Sequence, residues 1–332
     1  MIQKFSVAYG EEITTFDVKK VENIRDSVIT AVSMSISASV SASHRTAGVA
    51  RRERHFTLDK KEPAWASLKE MEGKFVSYEF PKSIQDIIDD VPLERKKPKT
   101  AIVKIAKNPF GKDLSTYVVK DGSKSSKEME VLKKNEEIVL KENLHTGKGM
   151  NSAKRYELSN QLQTIASFLA QKFMDDLKDR GMNQTIKFLK IRTISLPLPG
   201  TVPSFRFMSC ERRFAAEAKF VRFTNNAGYS IVESTAMAMG VSMEFVQLVF
   251  AFSHWTYKAS NRFLMVVDLE GVVAKIESDG KTGVLLTDPA IHCRDKTRYG
   301  RMNHDTGGMK NFFDRHECNK FCKALGLEGF VC

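Results

Sequence analysis

Apolar positions along this chain change rhythm twice. From Lys99 onward the pattern is strand-like. Ala101-Ile102-Val103-Lys104-Ile105 is a short β-rich run closed by Asn108-Pro109-Phe110-Gly111. Thr116-Tyr117-Val118-Val119 predicts the next strand, with a turn at Asp121-Gly122-Ser123. Glu137-Ile138-Val139-Leu140-Lys141 predicts a third, broken at Gly147-Lys148-Gly149. Then Leu158, Leu162, Ile165, Phe168, Leu169 and Phe173 recur at three and four, the face of an amphipathic helix that Ser152 can cap.

Strand-like runs return at Ile186 to Ile191, ended by Leu196-Pro197-Leu198-Pro199-Gly200, then at Phe205 to Cys210 and Lys219 to Phe223. A second helix is predicted from Met243 to Trp255, with Phe245, Val246, Val249 and Phe252 on one side. Phe263 to Asp268 is a buried strand ending in an acid, and a third helix is expected from Gly308 to about Leu325. Strands dominate the first half and helices the end. That is an α+β arrangement of two lobes with a cleft.

Residues 1–62 stand apart as an extension. Between Ser33 and Ser43 serine alternates with Met34, Ile36, Ala38, Val40 and Ala42, low complexity of the kind found in linkers. Composition narrows the class. An apolar fraction of 42% supplies a globular core. No stretch is long and apolar enough to span a bilayer, and the start lacks the apolar core of a signal peptide. Five cysteines, an odd and sparse set, argue against a secreted disulfide scaffold and for a reducing cytoplasmic setting. The net charge of +12 is concentrated: Arg95 to Lys154 holds fifteen Lys/Arg against seven Asp/Glu. Such surface attracts phosphates of any kind. No nucleic-acid motif accompanies it, so nucleic acid is not an expected partner.

Three sets of residues carry candidate chemistry. His316-Glu317-Cys318-Asn319-Lys320-Phe321-Cys322 puts one imidazole and two thiols within two helical turns, with Cys318 and Cys322 on one helix face. The trio suits Zn²⁺ and lacks a fourth ligand; two cysteines packed as small core hydrophobes is the competing reading. Asp268 and Asp288 each end an apolar run. Two strand-end acids can hold Mg²⁺ and orient a nucleophile, although single strand-end aspartates are mostly turn caps. Lys141 also ends an apolar strand, where a cation can reach a triphosphate.

Four motifs in order resemble the alpha-kinases, a family of atypical protein kinases. They are Phe252-Ser253-His254-Trp255-Thr256-Tyr257, Val267-Asp268-Leu269-Glu270-Gly271, Leu286-Thr287-Asp288-Pro289-Ala290-Ile291-His292, and the terminal His316 to Cys322. The resemblance runs from about residue 98 to 330. It implies a bilobal kinase fold with a β-rich N-lobe over 63–200, a zinc-containing helical C-lobe over 201–332, and an ATP cleft between them. It implies His254 as the missing zinc ligand beside His316, Cys318 and Cys322. Lys141 is then the nucleotide-binding lysine, steadied by Glu157 or Gln161. Glu211 falls at the adenine-contacting hinge, Arg222 near the γ-phosphate, Asp268 where the acceptor hydroxyl is oriented, and Asp288 and Glu270 at Mg²⁺.

The expected activity is ATP- and Mg²⁺-dependent transfer of a phosphoryl group to a serine or threonine of a protein substrate. The sequence departs from the family in three places. Glu270 replaces a glutamine and adds a charge that metal is expected to neutralise. Val272 to Gly283 forms an inserted hairpin. The family's glycine-rich loop reads Gly300-Arg301-Met302-Asn303-His304-Asp305 and keeps only its first glycine. Glu270 and that loop are what an alternative pseudokinase reading rests on.

Overall fold

In the computed structural model the residues described are 52–53, 57–58, 61, 63–109, 111–112, 116–122, 137–146, 151–215, 217–276 and 280–327. The serine-rich stretch 33–43 and the glycine break at 147–149 lie outside them. In chain order the first elements are β1 (Arg52–Glu53), β2 (Met71–Val76), α1 (Ile84–Ile88), β3 (Lys99–Val103), β4 (Gly111–Lys112), β5 (Thr116–Gly122), β6 (Glu137–Asn143) and β7 (His145–Thr146). Next come α2 (Ala153–Lys178), β8 (Ile186–Phe188), β9 (Ile191–Leu198) and β10 (Ser204–Arg212).

Seven of these strands form one antiparallel sheet, ordered β3-β2-β9-β10-β6-β5-β4. Alternation along the strands puts Phe75, Val103, Ile138, Leu140, Ile194, Met208 and Cys210 together in one buried cluster. The opposite face of β6 and β10 then carries Lys141 and Ser209, which are register partners, with Glu211 two residues along from Ser209. The tight connection at 199–203 turns β9 into β10, which pairs with β9 from Ser204 to Glu211, so the sheet runs across position 200. The single strand predicted from Ile186 to Ile191 is two: β8 pairs with Val284–Leu286 in another sheet, and β9 begins at Ile191 and runs through Pro197, which it can do because it pairs with β2 only as far as Ser195.

Helix α2 packs beneath this sheet. Its apolar face buries Leu162, Ile165, Leu169 and Phe173. Beside that face runs a buried polar stripe at i, i+4 and i+7: Tyr156, Asn160 and Gln163. Each side chain bonds to another element. Tyr156 Oη accepts from the Asn143 amide at 2.9 Å, Asn160 Nδ2 donates to Val76 O at 2.9 Å, and Gln163 Nε2 donates to Leu189 O at 2.7 Å. The stripe fixes the helix against the sheet in one register.

The rest of the chain comprises β11 (Phe220–Arg222), α3 (Glu233–Ala238), α4 (Met243–Ala259), β12 (Leu264–Val267), β13 (Glu270–Lys275), β14 (Thr282–Thr287), β15 (Ala290–Cys293), α5 (Asp305–Phe313) and α6 (Lys320–Ala324). Strands β11-β13-β14-β8 make a four-stranded sheet and β12-β15 a two-stranded one. The inserted hairpin expected from the sequence is β13 and β14, paired from Glu270↔Thr287 to Lys275↔Thr282. Gly271 is required inside it, since a Cβ there would lie 2.0 Å from Leu285 O. Phe173, Phe252 and Trp255 meet edge-on at 5.5 and 5.7 Å where α2 crosses α4. Fully burying a ring such as Phe252 is worth about 1.5–3 kcal/mol.

The single helix expected from Gly308 to Leu325 is two. Residues 316–319 are non-helical, and Asn319 starts α6 by accepting from the amides of Phe321 and Cys322. His316 and Cys318 therefore precede the helix, and only Cys322 lies on it, so the shared-face argument for the two thiols does not hold.

One connection ties the sequence-early sheet to the later core. Between β2 and β3 the chain descends, and Ile87 of α1 joins the cluster built around α2 and α4. Arg298 closes that contact. It donates to Ile87 O at 2.6 Å and Ile88 O at 3.0 Å, pairs with Asp90 at 2.9 Å and lies over the Phe263 and Tyr299 rings. A cation at the C-terminal carbonyls of a helix satisfies acceptors that have no partner within it.

Candidate functional site

Lys141 is the centre of the first site. Its side chain is only 10% exposed and forms ion pairs with both Glu211 and Asp288. Thr287 Oγ1 donates to the other oxygen of Glu211 at 2.5 Å. Burial works against the lysine's charge, but Asp288 and then Glu211 outweigh it and hold Lys141 above the ordinary lysine range. Burial likewise pushes Glu211 up, while Lys141 pulls it back. The lysine is thus a fixed cation. Of its two carboxylates Glu211 is sunk in the protein, and Asp288 is 40% exposed.

Strand register brings the two sequence-predicted aspartates to one level. Strand β12 pairs with β15 up to Val267↔Ala290, and β13 pairs with β14 from Glu270↔Thr287. Residues 268–269 and 288–289 fill the gap between these ladders, where both chains step from one sheet to the other. Both Asp268 and Asp288 take the step in the left-handed conformation, with φ of 55° and 50°. Non-glycine residues held there cost of order 1–3 kcal/mol each, and such strain gathers at functional sites. Three strands extend the level sideways: Arg222 opposes Glu270 on β13, which opposes Thr287 on β14.

Arg222 and Glu270 form an ion pair at 2.6 Å, with side-chain exposures of 44% and 8%. The charge expected to require metal is therefore already countered by a cation on the neighbouring strand. Glu211, expected at the adenine hinge, turns its carboxylate to Lys141. Neither Glu157 nor Gln161 steadies that lysine. Glu157 binds Tyr78 Oη at 3.0 Å and Arg95 at 3.1 Å, and Gln161 acts on Tyr78. Two residues of the site were not assigned roles from sequence. Thr287 lay inside a quoted motif. Gln163, whose Oε1 accepts from the Asp288 amide at 3.0 Å, was legible only as a polar residue interrupting an apolar helix face.

A second site is built from other segments of the chain. His254, His316, Cys318 and Cys322 converge from α4, the 316–319 segment and α6, with their ligand atoms all within 4.8 Å of one another. His254 Nδ1 lies 3.1 Å from His316 Nε2 and 3.7 Å from Cys318 Sγ, and Cys322 Sγ lies 3.5 Å from His316 Nε2. A tetrahedral ion with bonds of about 2.0 Å to nitrogen and about 2.3 Å to sulfur spaces its ligands by roughly 3.3–3.8 Å. The donor set suits such an ion, and these three spacings lie close to that range, while the widest-spaced atoms of the cluster, within 4.8 Å, would draw in around it. Burial pushes Cys322 up to about 12, and burial followed by His254 brings His316 down to about 4. Left to themselves these groups stay uncharged, so a thiolate at Cys322 needs a cation beside it.

The glycine-poor stretch 300–305 is ordered by its own side chains. Asn303 accepts from the amides of Cys293 and Asp305 at 2.9 and 2.8 Å, and His292 Nδ1 accepts from the His304 amide at 3.1 Å. His292 packs so closely on α5 that a Cβ at Gly308 would come within 2.5 Å of its Nε2. Among the described residues no helix is long and apolar enough to cross a membrane.

Known proteins share both the sequence and the fold. The alpha-kinase family matches residues 116–322. Alpha-protein kinase vwkA of Dictyostelium discoideum is 26% identical over 96% of the chain, which spans 48% of that protein. Human eukaryotic elongation factor 2 kinase is 32% identical over 34% of the chain and 13% of its own length. The chain thus spans about half or less of these relatives. The alpha-kinase domain of myosin-II heavy chain kinase A, solved in complex with AMP-PNP, superposes with a TM-score of 0.60 at 21% identity, over 80% of this chain and 98% of that one. The family match covers more than half of its length, and the chain belongs to the alpha-kinase family.

Proposed function

We propose that this chain is an ATP- and Mg²⁺-dependent protein kinase of alpha-kinase type that phosphorylates serine or threonine hydroxyls of a protein substrate. The observation that carries the reading is the buried Lys141 pinned between Glu211 and Asp288, with Asp268 at the same level of the sheets. Phosphoryl transfer needs positioning and charge stabilisation more than covalent help from the protein. Each residue has a part in that. Glu211 and Thr287 hold the Lys141 ammonium in place. Asp288, the more exposed of the two carboxylates, is the partner that a phosphate oxygen displaces. Asp268 orients the acceptor hydroxyl and takes up its proton. Arg222, half-exposed beside Glu270, faces the charge that develops on the transferred group.

Mg²⁺ would be held by Asp288 with Glu270 near it; oxygen donors at a strand end suit that hard cation, which would supply charge neutralisation at the phosphates. Zn²⁺ would be held by His254, His316, Cys318 and Cys322 as a closed structural site. ATP is the donor; the AMP-PNP complex of the myosin kinase domain supports this. We take the boundary between the lobes to lie near residue 212 and not at 200, because β10 belongs to the seven-stranded sheet, and take residues 1–62 as an extension. None of the four described cysteines is in a disulfide, which suits a cytoplasmic protein. The pseudokinase reading is not favoured, since Lys141, Asp268 and Asp288 are all retained and Glu270 is matched by Arg222.

The test is a radiolabelled-ATP assay on the purified chain, with autophosphorylation and a generic protein acceptor both scored. Label on serine or threonine that disappears in Asp268→Ala is the expected result. Nucleotide binding with no transfer at any Mg²⁺ concentration would replace this reading with the pseudokinase one.

A further inference from the structure

We infer that Gln163 is a positioning residue that sets the conformation and height of Asp288. The inference rests on the proposed role of Asp288 at the metal and the phosphates.

Gln163 lies in the middle of α2 and is 1% exposed. A buried primary amide is tolerated only where both its ends are bonded. Both are. Nε2 donates to Leu189 O at 2.7 Å, and Oε1 accepts from the Asp288 backbone amide at 3.0 Å. The second bond spans 125 residues of sequence and lands on the residue whose backbone most needs an external partner. Strand β14 ends at Thr287, so the Asp288 amide has left the ladder, and Pro289 has no N–H to offer in its place. Asp288 also sits at φ 50°, a conformation that side-chain sterics disfavour. Gln163 supplies the acceptor that this turned-out amide requires.

The tether matters because of what surrounds it. One residue earlier Thr287 is bonded to Glu211, and the Asp288 carboxylate is paired with Lys141. Gln163 itself is anchored by the polar stripe of α2, since Asn160 one turn before it is bonded to Val76 O. The helix therefore holds Asp288 from below while the lysine holds it from the side. Few side chains can do this. The group must donate at one end and accept at the other, at glutamine's length. Asparagine is one methylene too short, and leucine has the bulk with neither function.

Groups that orient a metal ligand from behind typically change metal affinity or activity about 10–100-fold when removed. Gln163→Leu is therefore expected to raise the Mg²⁺ concentration for half-maximal transfer by about 10-fold or more. A second readout needs no turnover. Calorimetric titration of ADP with and without Mg²⁺ gives the factor by which the metal tightens the nucleotide. In Gln163→Leu that factor is expected to fall about 10-fold, while metal-free ADP binding stays within about threefold of the parent. Asp288→Ala, run alongside, separates the two ideas. If Asp288→Ala transfers phosphate and couples Mg²⁺ to ADP like the parent, the reading of Asp288 falls and this inference with it. If Asp288→Ala is impaired while Gln163→Leu matches the parent in both readouts, only this inference is overturned.

Gln163→Glu keeps the test alive should the leucine variant not fold. A carboxyl buried there has its pKa raised, and in its neutral form it both donates and accepts, as the amide does. Mg²⁺ coupling near the parent's at low pH, lost as the carboxyl ionises, is the expected profile. A profile that overlays the parent's at every pH overturns the inference.

Discussion

Replacing Glu270 with glutamine keeps the shape of the side chain and removes its charge. Glu270 contacts Arg222 at 2.6 Å, with its own side chain 8% exposed and the arginine's 44%. Two unit charges about 4 Å apart attract by roughly 4 kcal/mol at an effective dielectric near 20. Desolvation of the glutamate and solvent screening of the half-exposed arginine leave a net of about 1–2 kcal/mol. In Glu270→Gln the neutral amide oxygen holds Arg222 only weakly, and the loosened arginine is solvated, so the loss is about 1 kcal/mol and the Tm falls by about 2–4 °C. Arg222→Ala is the harsher change. It strips the counter-charge from a carboxylate that water scarcely reaches, and costs about 2–4 kcal/mol. The double variant recovers about 1–2 kcal/mol of that, because the stranded charge is gone.

Calorimetric Tm on the four proteins closes this cycle, and steady-state kinetics add a second measure. With its charge already matched inside the protein, Glu270→Gln should leave the Mg²⁺ requirement within about threefold of the parent, a shift under 1 kcal/mol. Arg222, released toward the phosphates, should lower the KM for ATP by a few-fold, a comparable energy. A tenfold lower Mg²⁺ requirement in Glu270→Gln would mean that metal, and not Arg222, had neutralised the carboxylate. Equal destabilisation by the two single changes, with no recovery in the double, would show that the pair carries no net energy.

Three further predictions use other parts of the molecule. Purified chain should hold one zinc by elemental analysis, and His254→Ala, which opens a fully buried position, should give less soluble protein than Cys318→Ser at the exposed ligand; soluble, active protein without zinc would refute the metal assignment. Lys141→Ala and Asp268→Ala should each abolish transfer while circular dichroism stays unchanged; turnover at the parent's rate in either would move the site elsewhere. Burial, then His304, brings His292 down to about 4, so its folded form favours the neutral ring. That stability is present above pH 6.5, is lost as pH falls toward about 4, and amounts to about 3 kcal/mol. Urea midpoints across that window should slope upward with pH in the parent and flatten in His292→Asn.

The period of the apolar residues disclosed most strands and both long helices, because alternate positions on β6 and β10 bury one face and the face of α2 repeats at three and four. The terminal segment forms two helices where its pattern predicts one, for a local reason. Residues 316–319 have the apolar and polar order of a helix, but Asn319 bonds the next two amides and so starts a new one. Of the His/Cys cluster, His316, Cys318 and Cys322 can be found by spacing, whereas His254 is 62 residues from His316 and needs the family pattern. The Lys141–Glu211 pair escaped both routes, since it depends on which strands are neighbours. So did Arg222 and Glu270, which meet only because β11 lies beside β13 in register. Pairwise electrostatics across a sheet is written in topology, which local sequence patterns do not encode.

The bonds from Arg298 to the end of α1 bear on how this protein can be taken apart. Ile87, 3% exposed, completes the later core although it is encoded between two strands of the earlier sheet. The two structural halves are therefore interleaved in the gene, and no single cut separates them. A fragment starting at residue 213 would lack α2 and β8 and, beyond them, the apolar plug at Ile87, worth about 1.5–3 kcal/mol, and the carbonyls and carboxylate that Arg298 binds. Its guanidinium would be left over two aromatic rings with its anionic partner removed. Dissection of the protein should keep residues 71–327 together, and random truncation libraries should show a sharp loss of soluble product once the deletion passes residue 84.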